Sequence, residues 1–324
     1  MYEPLEGVRE LRPLITVIIP THNSQDTIAR ALNSALAQSY RPIEIVVIDD
    51  QSADRTCSIV ESYREQGVKL HRLLKQRGAS GARNAGVAVA RGELVAFLDA
   101  DDEWMPAKLE KQVALILENG AYVFVSCAAQ EISSDGDDLG DLYQGRKPIV
   151  GVDCWKGLLA CNTIATPSVL VWRRQLIETG GFDEHLPLGE DQDMWIRLAV
   201  VGSVGYVDET LLRVYNRKDS LSAQVSVATS LRIAFQVAER HVSQQRSRLS
   251  SAEIKEIVAE RLERLGRAEC NERFLHGFPL LLRSAWMGYK PLDTCLFLLS
   301  ACPPARLLKK VLRWKSHLKG QSAR

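Results

Sequence analysis

The chain lacks any cysteine pattern. Its seven cysteines, at 57, 127, 154, 161, 270, 295 and 302, form no CxxC pair and take no Cys/His ligand spacing. An odd, scattered set in a chain of 324 residues excludes a disulfide framework and a structural zinc site, and fits reduced thiols. The six histidines are equally dispersed and indicate no metal cluster. No sign of charge dominates. The formal net charge of +1 gives the molecule no electrostatic bias toward nucleic acid, and none is expected as a partner. Long apolar runs are missing too. The longest late stretch, 292–302, is interrupted by Asp293 and is too short to span a bilayer. Glu3, Glu6, Arg9, Glu10 and Arg12 occupy the first fourteen residues, with no apolar segment that would read as a secretory signal. A cytoplasmic location is the expectation from these absences.

What is present is the composition of a globular protein, 46% hydrophobic and 25% charged, long enough for one large domain or two modest ones. Short β-branched runs alternate with helical stretches. Strands are predicted over 15–19, 43–48, 68–74, 94–98 and 122–125, and helices near 26–38, 54–65, 81–90 and 106–118. Continuous apolar strands separated by helices of this length imply an α/β fold with a mostly parallel sheet covered on both faces. Asp54 is placed to cap one helix, and Pro106 suits the first turn of another. The polar stretch 133–141 reads as a mobile loop. A short helix near 153–161, a strand near 168–172, a helix from about 190 and closing strands at 204–207 and 211–215 follow. After about 222 the pattern is helical only, and Ile254, Ile257, Val258, Leu262 and Leu265 follow the helical period. The predicted division is an extension at 1–13, a first domain at 14–222 and a helical region at 223–324.

The densest chemical signal is Phe97-Leu98-Asp99-Ala100-Asp101-Asp102-Glu103-Trp104, where an apolar strand delivers four carboxylates in five residues. Carboxylates this close repel one another unless a cation joins them, and Mg²⁺ or Mn²⁺ does so while also holding substrate phosphates. Open α/β sheets bind ligands at the carboxyl ends of their strands. The other predicted strands end in Pro20-Thr21-His22-Asn23, in Asp49-Asp50-Gln51-Ser52, and before Gly78-Ala79-Ser80-Gly81-Ala82-Arg83-Asn84-Ala85-Gly86. Further on lie Gly180-Gly181-Phe182-Asp183-Glu184 and Glu190-Asp191-Gln192-Asp193-Met194-Trp195.

With these six motifs in this order, 14–222 resembles glycosyltransferase family 2, nucleotide-sugar-dependent enzymes of the GT-A fold. The resemblance implies a Rossmann-like GT-A sheet followed by a helical extension, and a site built from named residues. Asp50 would accept a hydrogen bond from the nucleobase, and Pro20, Thr21 and Glu44 would frame the base and ribose. Arg83 would offer its fork to a diphosphate, beside glycines that let the backbone approach. Asp99 would face the ribose and Asp101 would hold a divalent metal, Mn²⁺ or Mg²⁺, while Asp102 would cap the next helix. Asp191 would be the general base, with Glu190 beside it positioning the base or the acceptor. His22 would at most stack on a base, and Trp195 and Arg197 read equally well as structural. The family's metal-binding histidine after the last strand has no counterpart in Tyr215-Asn216-Arg217-Lys218-Asp219-Ser220, where Lys218 could touch the diphosphate instead.

The implied reaction is inverting transfer of a sugar from a nucleoside diphosphate donor, UDP favoured, to a saccharide or lipid-linked acceptor, as in surface polysaccharide synthesis. Sugar-phosphate nucleotidylyltransferases share such a sheet, but Pro20-Thr21-His22-Asn23 stands where they carry a glycine-rich signature. An inactive homologue acting as a binding partner is the other alternative. Acceptor specificity is expected in the 133–151 loop and the 164–169 face. The segment 305–319 carries six basic residues, no acid and Trp314, which suits peripheral contact with the inner face of a cell membrane.

Overall fold

The computed structural model describes residues 12–118, 120–216 and 225–301. The elements run β1 (Ile15–Thr21), α1 (Ile28–Leu36), β2 (Ile43–Asp49), α2 (Thr56–Glu61), β3 (Val68–Arg72), α3 (Gly78–Val89), β4 (Leu94–Phe97), β5 (Glu103–Trp104) and α4 (Lys108–Glu118). They continue with β6 (Tyr122–Ile132), β7 (Asp138–Asp141), α5 (Cys154–Ala160), β8 (Leu170–Trp172), α6 (Arg173–Glu178), α7 (Glu190–Val201) and β9 (Ser203–Tyr215). Four helices follow: α8 (Val227–Gln244), α9 (Ser251–Glu272), α10 (Phe274–Trp286) and α11 (Pro291–Ala301).

The sheet order is β3-β2-β1-β4-β8-β6-β9-β5, with β7 paired to β6. The first four strands are mutually parallel, as expected from their continuous apolar character. Ile15, Val17, Ile18 and Ile19 of β1 are fully buried between the helices on either face. The antiparallel β8 then joins β4 to β6, and β9 runs parallel to β6. The expected α/β fold is therefore present, with an all-parallel half and a mixed second half.

Contacts divide the chain into two compact units. The first holds the described residues up to Leu158 and again from Asn162 to 216, and the second holds Leu159–Cys161 and 225–301. In the second unit, α9 starts at a capping box formed by Ser250 and Glu253. The division placed at 222/223 falls in a stretch outside the described residues, as do most of 1–13, Lys218 and the basic 305–319 segment.

Several local expectations are corrected. The 133–141 stretch is a hairpin, not a free loop: β7 pairs with β6. Ser133 Oγ accepts from the amides of Asp135 and Asp137, and Gly136 takes the left-handed conformation that the turn requires. The two predicted closing strands are one bulged strand, β9. Helix α3 starts at Gly78, earlier than predicted, because the Asp50 carboxylate accepts from the amides of Arg77 and Gly78 at 2.8 Å each and satisfies the helix start. The 164–169 face is packed inward, with Ile164, Thr166, Ser168 and Val169 buried, so it cannot present an acceptor surface.

Helix α3 lies tight on β1 at Gly86, where an added Cβ would stand 2.4 Å from Ile18 Cγ2. That methyl belongs to a β-branched side chain with little freedom to swing away. Gly86→Ala is expected to cost about 1–3 kcal/mol through overpacking, read as a fall of a few degrees in thermal unfolding. An unchanged melting temperature would show that the α3–β1 approach is not tight.

Candidate functional site

The carboxyl ends of β2 and β4 flank that of β1 at one rim, and the loops after β1 and β2 are joined by hydrogen bonds. Asp50 donates its amide to the Thr21 carbonyl at 2.8 Å, and the Asn23 amide donates to Ser52 Oγ at 2.9 Å. Asn23 Oδ1 accepts from the Ala53 amide in return. The His22 ring, exposed to solvent, is held by Nδ1 against the Asp50 carbonyl. Thr21 Oγ1 is buried with no hydrogen-bond partner. Asp50 lies 4% exposed, its two oxygens bonded to the amides of Arg77 and Gly78 at the start of α3, with lone pairs left to accept from a further donor.

Glu44 is not part of this rim. It sits at the amino end of β2, five residues or roughly 16 Å of strand from Asp49. Its carboxylate accepts from Thr16 Oγ1 at 2.6 Å, Lys69 Nζ at 3.0 Å, and the amide and Nε of Arg91. Burial opposes its charge, but these donors outweigh it and hold the carboxyl down at about 2. The expectation that Glu44 frames the base and ribose is corrected: it ties β1, β2, β3 and the α3–β4 turn together at the far edge of the sheet.

Arg83 is the centre of the site. On α3 and only 7% exposed in its side chain, it reaches Asp99 Oδ1 with Nη2 at 3.0 Å and Glu190 Oε1 with Nη1 at 2.9 Å. Burial works against its charge, yet Asp99 and Glu190 more than compensate, and the net shift is upward. The fork expected to await a diphosphate is already engaged by two acids. One guanidinium thus joins the acidic loop after β4 to the start of α7.

Asp191, next to Glu190 in the first turn of α7, is part-buried and accepts from Asn162 Nδ2 at 2.9 Å. Burial first, and the Glu190 charge second, push its carboxyl up to about 6. Asn162 was missed by sequence reading, because it falls between motifs with no pattern of its own. Behind Asp191, Trp195 is fully buried against Phe97, Phe124 and Phe182, with ring centroids 5.6–6.3 Å away. Arg197 donates to Asp193 and to the carbonyls of Thr179 and Gly181, so both residues are structural. The turn that Arg197 holds leads to Phe182 and Glu184. These meet α3 through Asn84 Nδ2, 2.9 Å from the Phe182 carbonyl, and through the Arg77–Glu184 ion pair.

In the acidic loop, Asp102 does not cap a helix. Its Oδ1 accepts from the Tyr215 amide at 3.2 Å, pinning the end of β9. Arg30 stacks 3.6 Å over the Tyr215 ring and donates to the Asp101 carbonyl. Burial, then the charges of Asp99 and Asp101, push the Asp102 carboxyl well above the ordinary range. Among the described residues no three His, Cys, Asp or Glu side chains form a ready-made metal site. A hard cation that shares substrate phosphates needs only one or two carboxylates, however. The crowded oxygen donors of Asp99, Asp101 and Asp102 fit that demand.

The family model "Glycosyl transferase family 2" matches residues 16–161. The chain is 32% identical over 210 residues to the succinoglycan biosynthesis protein ExoO of Rhizobium meliloti (strain 1021), covering 60% of each. It is 31% identical over 200 residues to TuaG of Bacillus subtilis (strain 168), named as a teichuronic acid biosynthesis glycosyltransferase, covering 60% of this chain and 75% of TuaG. The fold is similar to that of the mannosyltransferase PcManGT of Pyrobaculum calidifontis, solved with GDP-Man and Mn²⁺. The TM-score is 0.56 and the identity 21%, over 91% of this chain and 88% of that one. The chain belongs to glycosyltransferase family 2. It spans about three-fifths of the length of relatives such as ExoO.

Proposed function

We propose that the protein is an inverting glycosyltransferase that moves a sugar from a nucleoside diphosphate donor to a hydroxyl of a saccharide or lipid-linked acceptor in polysaccharide synthesis. One observation carries this reading: Arg83 ion-pairs at once with Asp99, on the donor side, and with Glu190, beside the candidate base Asp191. Two motifs about ninety residues apart in sequence thereby close on one site.

In this reading Asp50 accepts an N–H from the base, which suits the N3–H of uracil or the N1–H of guanine and keeps a UDP-sugar as the favoured donor. Pro20 and Thr21 line the same rim, and the unpartnered Thr21 hydroxyl supplies a further polar contact. Asp99 faces the ribose while Arg83 fixes its orientation. Asp101 would hold Mn²⁺ or Mg²⁺, which when bound neutralises the departing diphosphate as a Lewis acid. Asp191 takes the proton of the acceptor hydroxyl as it attacks the anomeric carbon, with Asn162 and Glu190 setting its position and basicity. A single displacement inverts that carbon. Among the described residues no helix is long and apolar enough to cross a membrane.

The test is a panel of UDP-, GDP-, dTDP- and CMP-sugars, with and without Mn²⁺, on wild type and Asp101→Asn, read by thermal shift and donor hydrolysis. Metal-dependent stabilisation by one nucleotide class, lost in the variant, is the expected outcome. Stabilisation that ignores both metal and Asp101 would remove the metal from the reading. Silence toward every donor would favour an inactive homologue.

A further inference from the structure

The second unit carries a surface that the transferase reading does not use. Helices α10 and α11 pack on α9 and on each other. Their inward contacts are close. A Cβ on Gly277 would stand 2.2 Å from the Gly266 carbonyl, Leu281 is fully buried, and Ser284 Oγ donates to the Ala259 carbonyl at 2.7 Å. The opposite side of each helix ought then to be polar. It is not. Leu275, Phe278, Leu282 and Trp286, spaced three and four residues apart along one face of α10, are 80%, 37%, 48% and 87% exposed. Leu292 and Leu296, four apart on α11, are 79% and 65% exposed. Single exposed leucines are ordinary, but six large apolar side chains on two packed helices mark a surface that something covers.

The charge carried along these two helices says what. From 273 to 301 the basic residues are Arg273, Arg283 and Lys290, all exposed, and the single acid is Asp293. The sequence beyond 301 adds seven more Lys and Arg and no acid. A second copy laid on this face would bring like charges together. An anionic bilayer matches both features, with apolar and tryptophan side chains entering the headgroup boundary and cations staying above it.

We propose that the outer face of α10 and α11 is a docking surface for an anionic lipid bilayer. The proposal is independent of the catalytic assignments. Its test is flotation of the full chain with vesicles of phosphatidylcholine containing about 30% phosphatidylglycerol, and with phosphatidylcholine alone. The comparison proteins are Leu282→Glu/Trp286→Glu, and Trp286→Ala as the gentler change. Both positions are exposed, so thermal unfolding and any donor-induced shift should match wild type. Wild type is expected to float with the anionic vesicles, the double variant to partition at least about ten-fold less, and Trp286→Ala to fall between them. Wild-type flotation that the face variants leave unchanged would overturn the proposal, including the case where deleting 305–324 alone abolishes it. Failure of wild type to float would overturn it too, as would a concentration-dependent dimer that the double variant abolishes.

Discussion

Asp191→Asn is expected to lower sugar transfer by about 10²–10⁴-fold, the range for removing a general base. Donor-induced thermal stabilisation should survive, because in the proposed mechanism Asp191 acts on the acceptor and not on the donor. The variant should also be at least as stable as wild type near pH 8, since it relieves a part-buried charge beside Glu190. The pH profile makes the assignment specific. With the Asp191 carboxyl pushed up to about 6 by burial and by Glu190, the base is protonated and inactive below that pH. Transfer should rise with pH through about 6 and then level off. The Asn162 amide is one of the contacts that lower this value, so Asn162→Ala should move the acidic limb toward higher pH. It should also reduce the plateau less than Asp191→Asn does. An acidic limb that stays in place in Asn162→Ala, or activity retained in Asp191→Asn, would move the base elsewhere.

The second large effect is expected at Arg83. Removing one partner of a buried ion pair costs about 3–5 kcal/mol. Asp99 and Glu190 keep 29% and 16% side-chain exposure, which places Arg83→Met near the lower end, about 3 kcal/mol. At roughly 2–4 °C per kcal/mol for a domain of this size, the melting temperature should fall by about 6–12 °C. Activity should fall with it, because both the acidic loop and the start of α7 lose their common anchor. Arg83→Lys keeps the charge but not the fork, and an ammonium cannot reproduce the two-carboxylate geometry. It should recover part of the stability and little of the activity. Equal melting temperatures for Arg83→Met and wild type would show that the bridge carries no structural weight.

Much of this site was legible in the sequence, for a physical reason. A buried strand must shed its polar residues at its ends, so Asp50, Asp99 and Asp101 announce the rim as soon as the apolar runs are recognised. Glu190 and Asp191 read similarly as the acidic first turn of a helix. Glu44 misled because a motif counts residues and ignores which end of the strand they occupy. The seven residues of β2 extend over roughly 23 Å, so Glu44 and Asp50 cannot line one small ligand. Arg83 was recognised, but its partners were not, since charge type says nothing about which acids the topology brings near. Asn162 left no trace at all, lying in an irregular segment where neither periodicity nor spacing operates. The 133–141 hairpin was misread for the opposite reason. Its Ser-Ser-Asp-Gly turn chemistry was visible, but a partner for so short and polar a strand was not.

Helix α3 also acts as a ruler. Its first residue is fixed by the carboxylate of Asp50, and five residues on, about 7.5 Å along the axis, Arg83 grips the two acids. In the proposed site, the nucleobase contact at Asp50 and the acids Asp99 and Glu190 are therefore set apart by a count of residues in a rigid rod. An insertion of a single residue between Gly78 and Arg83 would turn the guanidinium by about 100° and carry it away from both carboxylates. The surface hairpin of β6 and β7 carries no such constraint. Evolution can lengthen or recompose that hairpin, whereas the segment from Gly78, whose left-handed φ favours glycine, to the guanidinium of Arg83 is held both in its length and in its end residues.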